Sequence, residues 1–574
     1  MTHSSSFYRK IAYIVAMALL LIPLAIMSRP ATTKRGASGG REREPGGVLA
    51  EMRNDAGLSQ AQLGAIDPAS ETMKLATFGL RGVAVVLLWD RANEYKKKED
   101  WDNFSATLEQ IGRLQPNFIT VWEHQAHNMS YNVSVEFDDY KQRYHWVKKG
   151  IDYLIEGTEF NHNEPRLLWY TGWVVGQKIG RADERVQFRR LFKDDHELER
   201  TFARLGIDVE SARGLDGKPD NWLMGRLWYE RAIQAKKAGG SIGGKSPVLF
   251  YSSPVMSLVN FAGDLEKEPD FDEAYVQSVW ARAYQEWMDL GNLPLPSSGG
   301  KELELNKAEV LQSQIKDEAD KLDALLPGIR QLILDEKTAA LPPDFRRVLK
   351  KPEAERTDAE RASFYKAQEL TQVSHFEVAQ RAPTDNSVEA RRIATGIAVL
   401  QEQLHYTVSS RNVVNFDFWR DRSRSGATPV GTAARKHLYE ARQLASKPDF
   451  PGAKAKYEQS FAEWAEIFKD YPSQKADADN EELIKDVEAY MKVLTQLDLR
   501  DASGGILPPD FPLTELLREQ GHEDLLKFRQ AEPEHNKPED NKPEEPTGKP
   551  AEPTEKPAEP TEKLDEPEEP ADDK

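Results

Sequence analysis

Bulky, small and bulky side chains recur along this chain at helical spacing. Leu88, Ala92 and Tyr95 reappear 34 residues later as Trp122, Ala126 and Met129. Positions i, i+4 and i+7 share one face of an α-helix, and the small middle residue lets a partner helix approach closely. Between the two sets, Phe104, Leu108 and Ile111 offer a second apolar face. Pro116 then ends the hairpin, because it has no amide hydrogen for the helical ladder. A later stretch repeats the order with Ala441, Leu444, Phe450, Ala453 and Tyr457, then runs on through Phe461, Trp464 and Phe468 to Pro472. No run of alternating Val, Ile and Thr with hairpin turns supports a sheet, so the pattern predicts an all-α fold.

The layout resembles the tetratricopeptide repeat (TPR), with its W-x2-LG-x2-Y…A-x3-F…P pattern. Here it reads Leu88-x2-Arg91-Ala92-x2-Tyr95…Phe104-x3-Leu108…Pro116. Phe104 departs from the small residue expected there, which alters the packing of the first pair. Trp122 opens a second unit whose second helix, Tyr140 to Glu156, arrives late. The next first helix, around Trp169 and Trp173, lies 47 residues beyond Trp122. An insertion of about 13 residues is therefore expected near Ser130 to Asp139. The C-terminal unit has a second helix about two turns too long, which suggests a cap. The resemblance implies an α-solenoid with a concave groove lined by Val86, Trp89, Asn93 and Lys96, by Thr120, Glu123, His127 and Ser130, and by Arg435, Leu438, Arg442 and Ala445. Of these, Trp89, Asn93, Lys96, Glu123, His127, Arg435 and Arg442 are the candidate peptide contacts. The segment Gly79 to Gly180, centred on LQPNFITVWEHQAHNMSYNVS, together with NVVNFDFW at Asn412 to Trp419, also resembles an uncharacterised family of bacterial membrane-anchored proteins. Some of its members carry the label iron responsive element (IRE). That resemblance implies an anchor followed by helical repeats, and no activity.

The two ends differ from the body. Ile11 to Ser28 is free of charge and close to the shortest length that spans a bilayer, and Arg9 and Lys10 precede it. No clean small-x-small cleavage site follows, so an uncleaved signal anchor is expected, with a cleaved signal peptide and then a buried core helix as the alternatives. Arg29, Lys34, Arg35, Arg41 and Arg43 beyond it favour a cytoplasmic C-terminal side. The short Arg-Lys-led N-terminal tail favours export, and an extracytoplasmic bulk is the reading adopted. Residues 531–574 form a Pro-rich tail that repeats KPAEPTE and holds 16 acids and 6 lysines. Such a composition predicts disorder, because proline blocks regular structure and no apolar surface offsets ordering entropy.

The expected organisation is an anchor at 1–28, a flexible linker at 29–66, TPR-like repeats at 67–292, a long-helix middle region at 293–430, a C-terminal TPR-like hairpin and cap at 431–530, and the tail at 531–574. Within it, helices are predicted over Asp220 to Lys237, Val255 to Glu266 and Phe271 to Leu290. A linker, LPLPSSGGK, follows at Leu293 to Lys301. A charged helix at Lys301 to Leu326 is expected to pair with Thr357 to Arg381, N-capped by Thr357. Ser387 to Thr407 is another long helix.

Composition narrows the chemistry. Absence of cysteine among the 574 residues excludes disulfides, thiolate metal sites and Cys nucleophiles. A net charge of −18 argues against a sequence-independent grip on nucleic acid. Gly239 to Ser246 (GGSIGGKS) satisfies both a phosphate-cradling loop and a nucleophile elbow. Both need a buried strand before the turn, yet Arg226 to Ala238 reads as an amphipathic helix and Pro247-Val-Leu-Phe-Tyr as no helix. The stretch is thus expected to be a flexible connection. His124 and His127, one helical turn apart, face the same way but lack an HExxH. Asp138-Asp139 and Asp194-Asp195-His196-Glu197 read as solvated charge. No catalytic residue, cofactor, metal or small-molecule substrate is predicted. The expectation is a membrane-tethered scaffold or adaptor that binds a protein or peptide. The alternatives are an envelope structural protein without a discrete ligand and, third, a nucleotide-binding enzyme using the glycine loop.

Overall fold

The computed structural model describes residues 81–528, save 163, 268–271, 298–299, 477–479 and 501–503. Ahead of residue 81 it describes Val15, Val48, Met52 and a short antiparallel pair, Thr32–Arg35 with Arg41–Glu44. The proposed anchor, apart from Val15, and the acidic tail therefore lie outside the described residues. Among the described residues no helix is long and apolar enough to cross a membrane.

The body is all-α. Its first half is a succession of paired helices: α1 (Arg81–Lys97) with α2 (Trp101–Leu114), then α3 (Ile119–His127) with α4 (Tyr140–Phe160). Next, α5 (Pro165–Trp173) pairs with α8 (Asn221–Lys237), and the short helices α6 (Arg185–Lys193) and α7 (His196–Arg204) lie between them in sequence. Helices α9 (Pro247–Leu265) and α10 (Glu273–Gly291) complete this half. Aspartates start many of these helices. Asp100, Asp139, Asp195, Asp220 and Asp272 each accept a hydrogen bond from a first-turn amide, which satisfies an otherwise orphaned donor. Asp139 and Asp195, from two of the acidic clusters, are thus helix caps.

Ala92 and Ala126 are buried, as the spacing requires. Trp122 fills the space between Gly112 and Gly157. A side chain at Gly112 or Gly157 would strike its ring at 2.8 Å, and its Nε1 donates to the Pro116 carbonyl at 2.8 Å. Asn161 donates to the same carbonyl at 2.6 Å. Helices α5 and α8 meet backbone to backbone: a Cβ at Gly172 would lie 2.8 Å from the Gly225 oxygen. Buried Trp222, Trp228 and Trp280 extend the core across this half.

The chain then leaves the array at Gly291 and returns at Phe416. Trp287 marks the seam. It stacks on Phe416 with centroids 5.6 Å apart and donates to the Phe416 carbonyl at 2.9 Å. Asn415, at φ 50°, makes the return turn in the left-handed region that Asn tolerates. The excursion between folds on itself around a small core of Leu322, Ile333, Val378, Ile393 and Ile397. Its long helices are α11 (Ala308–Leu325) and α16 (Ser387–Val413). Shorter α12 (Ile329–Ala340), α13 (Pro343–Lys350), α14 (Asp358–Thr371) and α15 (His375–Gln380) connect them.

The array resumes with α17 (Phe416–Gly426), which packs on α10. Then come α18 (Pro429–Ser446), α19 (Phe450–Asp470), α20 (Asn480–Gln496) and the short α21 (Thr514–Glu519).

Several local expectations are corrected. Helix α11 starts at Ala308, not Lys301, because Glu302–Leu303 pair with Leu295–Pro296 in a two-residue ladder. Its main partner is α16 rather than the stretch after Thr357. That stretch breaks into α14 and α15, where Ser374 caps a new helix with a second capping box. Helix α9 begins at Pro247, eight residues before the predicted start, since proline is at home in a first helical turn.

Candidate functional site

Three successive helices, α1, α3 and α5, place side chains on one another's edges. Trp89 of α1 meets the His124 ring edge-on at 5.5 Å, and Lys96 donates to Asn128 at 3.0 Å. Glu123 of α3 accepts from Arg166 of α5 at 2.6 Å. Its other oxygen is buried without a hydrogen-bond partner. Asn93 is exposed on the same helix as Trp89 and Lys96.

Two π-helical stretches shape the centre of this face. Helix α3 runs on into Asn128–Val133, and α5 into Val174–Lys178. Each widens the helix locally and turns its side chains out of the α register. The first π stretch is followed by a 3-10 turn at Ser134–Glu136. A closed circuit of four rings results. His127 stacks on Tyr131 at 4.6 Å, Tyr131 on Trp173 at 5.4 Å, and Trp173 on Tyr170 at 5.4 Å. The Tyr170 hydroxyl closes it with a 3.1 Å hydrogen bond to His127 Nδ1.

Two lysines sit on these rings. Lys178, only 7% exposed, places Nζ 4.6 Å from the Tyr131 centroid. Lys245, from the glycine-rich stretch, lies 4.0 Å over Trp169. The stretch folds back on α5, where a Cβ at Gly243 would meet the Arg166 side chain at 2.7 Å. The helix α8 precedes it, not a strand. Burial lowers the pKa of both lysines, and burial followed by the charges of His124 and Lys178 lowers that of His127. Burial raises the Tyr131 and Tyr170 hydroxyls above their ordinary value. Both ammoniums lie against ring faces, with Glu123 near Lys245 and Glu184 near Lys178, an arrangement that suits recognition by stacking and hydrogen bonding.

Arg435 and Arg442 stand elsewhere. They line a cavity of about 350 Å³ between the end of the first half and helices α17 to α20. Glu266, nearly buried, accepts from Trp280 Nε1 at 2.7 Å and pairs with both Arg422 and Arg435. Arg422 lies 4.0 Å over Trp280 and Arg435 4.4 Å over Trp464. Arg442 is held by Asp486 through two hydrogen bonds. Leu438 also lines the cavity. Ser130 is buried against Gly150 and faces no groove.

The candidate contacts thus fall into two sets: Trp89, Asn93, Lys96, Glu123 and His127 on the aromatic face, Arg435 and Arg442 at the cavity. Tyr131, Arg166, Tyr170, Trp173, Lys178 and Lys245 complete the first set; Tyr131 and Lys178 lie in the π turns, which break the 3.6-residue period, and the others fall outside the groove positions the repeat implies. The aromatic run WYTGW at Trp169 to Trp173 was the available signal. No protein-family model, no curated protein and no solved structure matches this chain.

Proposed function

We propose that this chain is a membrane-tethered scaffold or adaptor whose TPR-like array presents a face to a protein or peptide partner without carrying out chemistry. Ile11 to Ser28 would be the anchor, with the array on the extracytoplasmic side. The four-ring circuit of His127, Tyr131, Trp173 and Tyr170 is the observation that carries the reading. Half-exposed aromatic rings flanked by exposed Asn93, His124 and His127 resemble the centre and rim of a protein interface more than an enzyme pocket. Val86 and Leu87 add exposed apolar surface on α1. Lys245 lies over Trp169, and a helix rather than a strand precedes the glycine run, which supports the binding reading over the nucleotide one.

The test is affinity capture from solubilised membranes with a photo-crosslinker at position 93. A partner that is crosslinked to the native chain, and lost on Tyr131→Ala and Trp173→Ala with helicity intact, would support the proposal. Crosslinking unchanged by both substitutions would sink it. ATP-dependent thermal stabilisation abolished by Lys245→Ala would replace it with a nucleotide-binding reading. Protease access to the C-terminal tail in intact cells decides the membrane side.

A further inference from the structure

The cavity between the two arms of the array holds polar groups that its own walls leave unsatisfied. Arg422 Nη1 and Trp464 Nε1 are both buried N–H donors without an acceptor. Such donors are rare in folded proteins, because leaving one dry costs the full desolvation of the group. Arg181 and Lys267, exposed on the same wall, make no ion pair among the described residues. Among the described residues, Arg181 is engaged by Asn260 and the Trp222 ring. The same lining carries Asp264, Glu266, Glu482 and Asp486, of which Asp264 pairs with Arg189, Glu266 with Arg422 and Arg435, and Asp486 with Arg442. Its half-buried indoles are Trp419 and Trp464, while Trp222 and Trp280 are buried behind them. A ligand that fits would bring acceptor oxygens with negative charge, and a flat, stiff apolar group for the indoles. Glutamate beside proline supplies both, since aromatic-lined clefts take up proline-rich backbone at low entropic cost.

The chain itself carries such a segment. Residues 531–574 contain the pair Glu-Pro six times, at Glu532, Glu545, Glu552, Glu559, Glu566 and Glu569. The described chain ends at Phe528, which bridges Leu507 in the C-terminal core that α21 belongs to. Helix α21 is tied to Lys475 by Glu515 and Glu519, Gln520 donates to the Lys475 carbonyl at 2.6 Å, and neighbouring Gln474 lines the cavity. The 46 residues beyond Phe528 span up to about 140 Å as an extended proline-rich chain, so reach is ample. We infer that the Arg/Trp cavity is a docking site for Glu-Pro segments and that the chain's own C-terminal tail occupies it. The inference is independent of whatever binds the aromatic face.

Carbodiimide crosslinking of the full-length protein, mapped by mass spectrometry, tests it. Carbodiimide joins a carboxylate to an amine in contact, and Lys267 is the amine on the cavity wall. The expected result is a Lys267 crosslink to tail glutamates, formed within one chain in a mixture of isotopically light and heavy protein. Its yield should fall at least five-fold at high salt, and equally in a chain carrying Glu545→Gln, Glu552→Gln, Glu559→Gln and Glu566→Gln, which leaves the folded body untouched. The synthetic peptide spanning residues 549–563 should compete for Lys267, and its Pro→Ala version should compete less well. Tail crosslinks shared evenly with remote lysines such as Lys141 and Lys307 would overturn the inference. So would crosslinks only between chains, or equal competition by the proline-free peptide.

Discussion

The array from α1 to α10 and the excursion from α11 to α16 are both helical, yet they are held together differently. In the first, tryptophan rings fill space between glycines and alanines: Trp122 between Gly112 and Gly157, Trp222 against Gly180. In the second, the core is a thin seam of Leu, Ile, Val and Ala, and much of the order is local. Capping boxes at Thr357 and Ser374 start α14 and α15, and exposed pairs such as Arg381–Glu336 and Lys366–Glu369 lace the surface. Large buried area gives strong, long-range stabilisation, whereas caps and surface pairs each contribute little. The array is therefore the more tightly packed region, and the excursion rests on a thinner core and joins the array through Trp287 and the apolar cluster around it.

Four changes would break or sharpen that contrast, from the largest effect to the smallest. Trp122→Ala should cost about 3–5 kcal/mol, read as a lowered denaturation midpoint with loss of the aromatic face. Leu322→Ala should cost about 2–4 kcal/mol, and hydrogen exchange should rise across residues 308–413 while α1 to α8 stay protected. If both regions lose protection together, the two are one cooperative unit and the contrast fails. Thr357→Ala removes one half of a capping box and should cost about 1 kcal/mol, confined to α14 in hydrogen exchange. The smallest effect is on pH. The His127 pKa lies below its ordinary 6.5, so the unfolded chain takes up this proton first as pH falls. The contribution is present above about pH 6.5 and is lost as pH falls toward the folded value. His127→Gln should flatten that slope, and an NMR titration should place the imidazole below 6.5.

Much of the array was legible in the residues. The Leu88, Ala92, Tyr95 spacing and its echo at Trp122 marked buried faces, because a 3.6-residue period and a small residue at closest approach are local properties. Pro116 was readable as a stop, though not that its carbonyl would bind both Trp122 and Asn161. The start of α9 at Pro247 is not legible, because proline after a glycine run marks a loop as readily as a first helical turn. The ring circuit is not legible because Tyr131 sits in a π turn and its ring partners Tyr170 and Trp173 lie on a separate helix, and nothing in a single period announces a π turn.

What the sequence determined by itself was where helices form and which stripe of each is buried: hydrogen bonds and side-chain spacing within a turn decide that. What the tertiary structure alone decided was which helices become neighbours. Glu266 meets Arg422 across 156 residues, and Trp287 meets Phe416 across 129. Such contacts depend on the folding-out of everything between them, which no local pattern encodes. The cavity exists only because those distant walls close on one another.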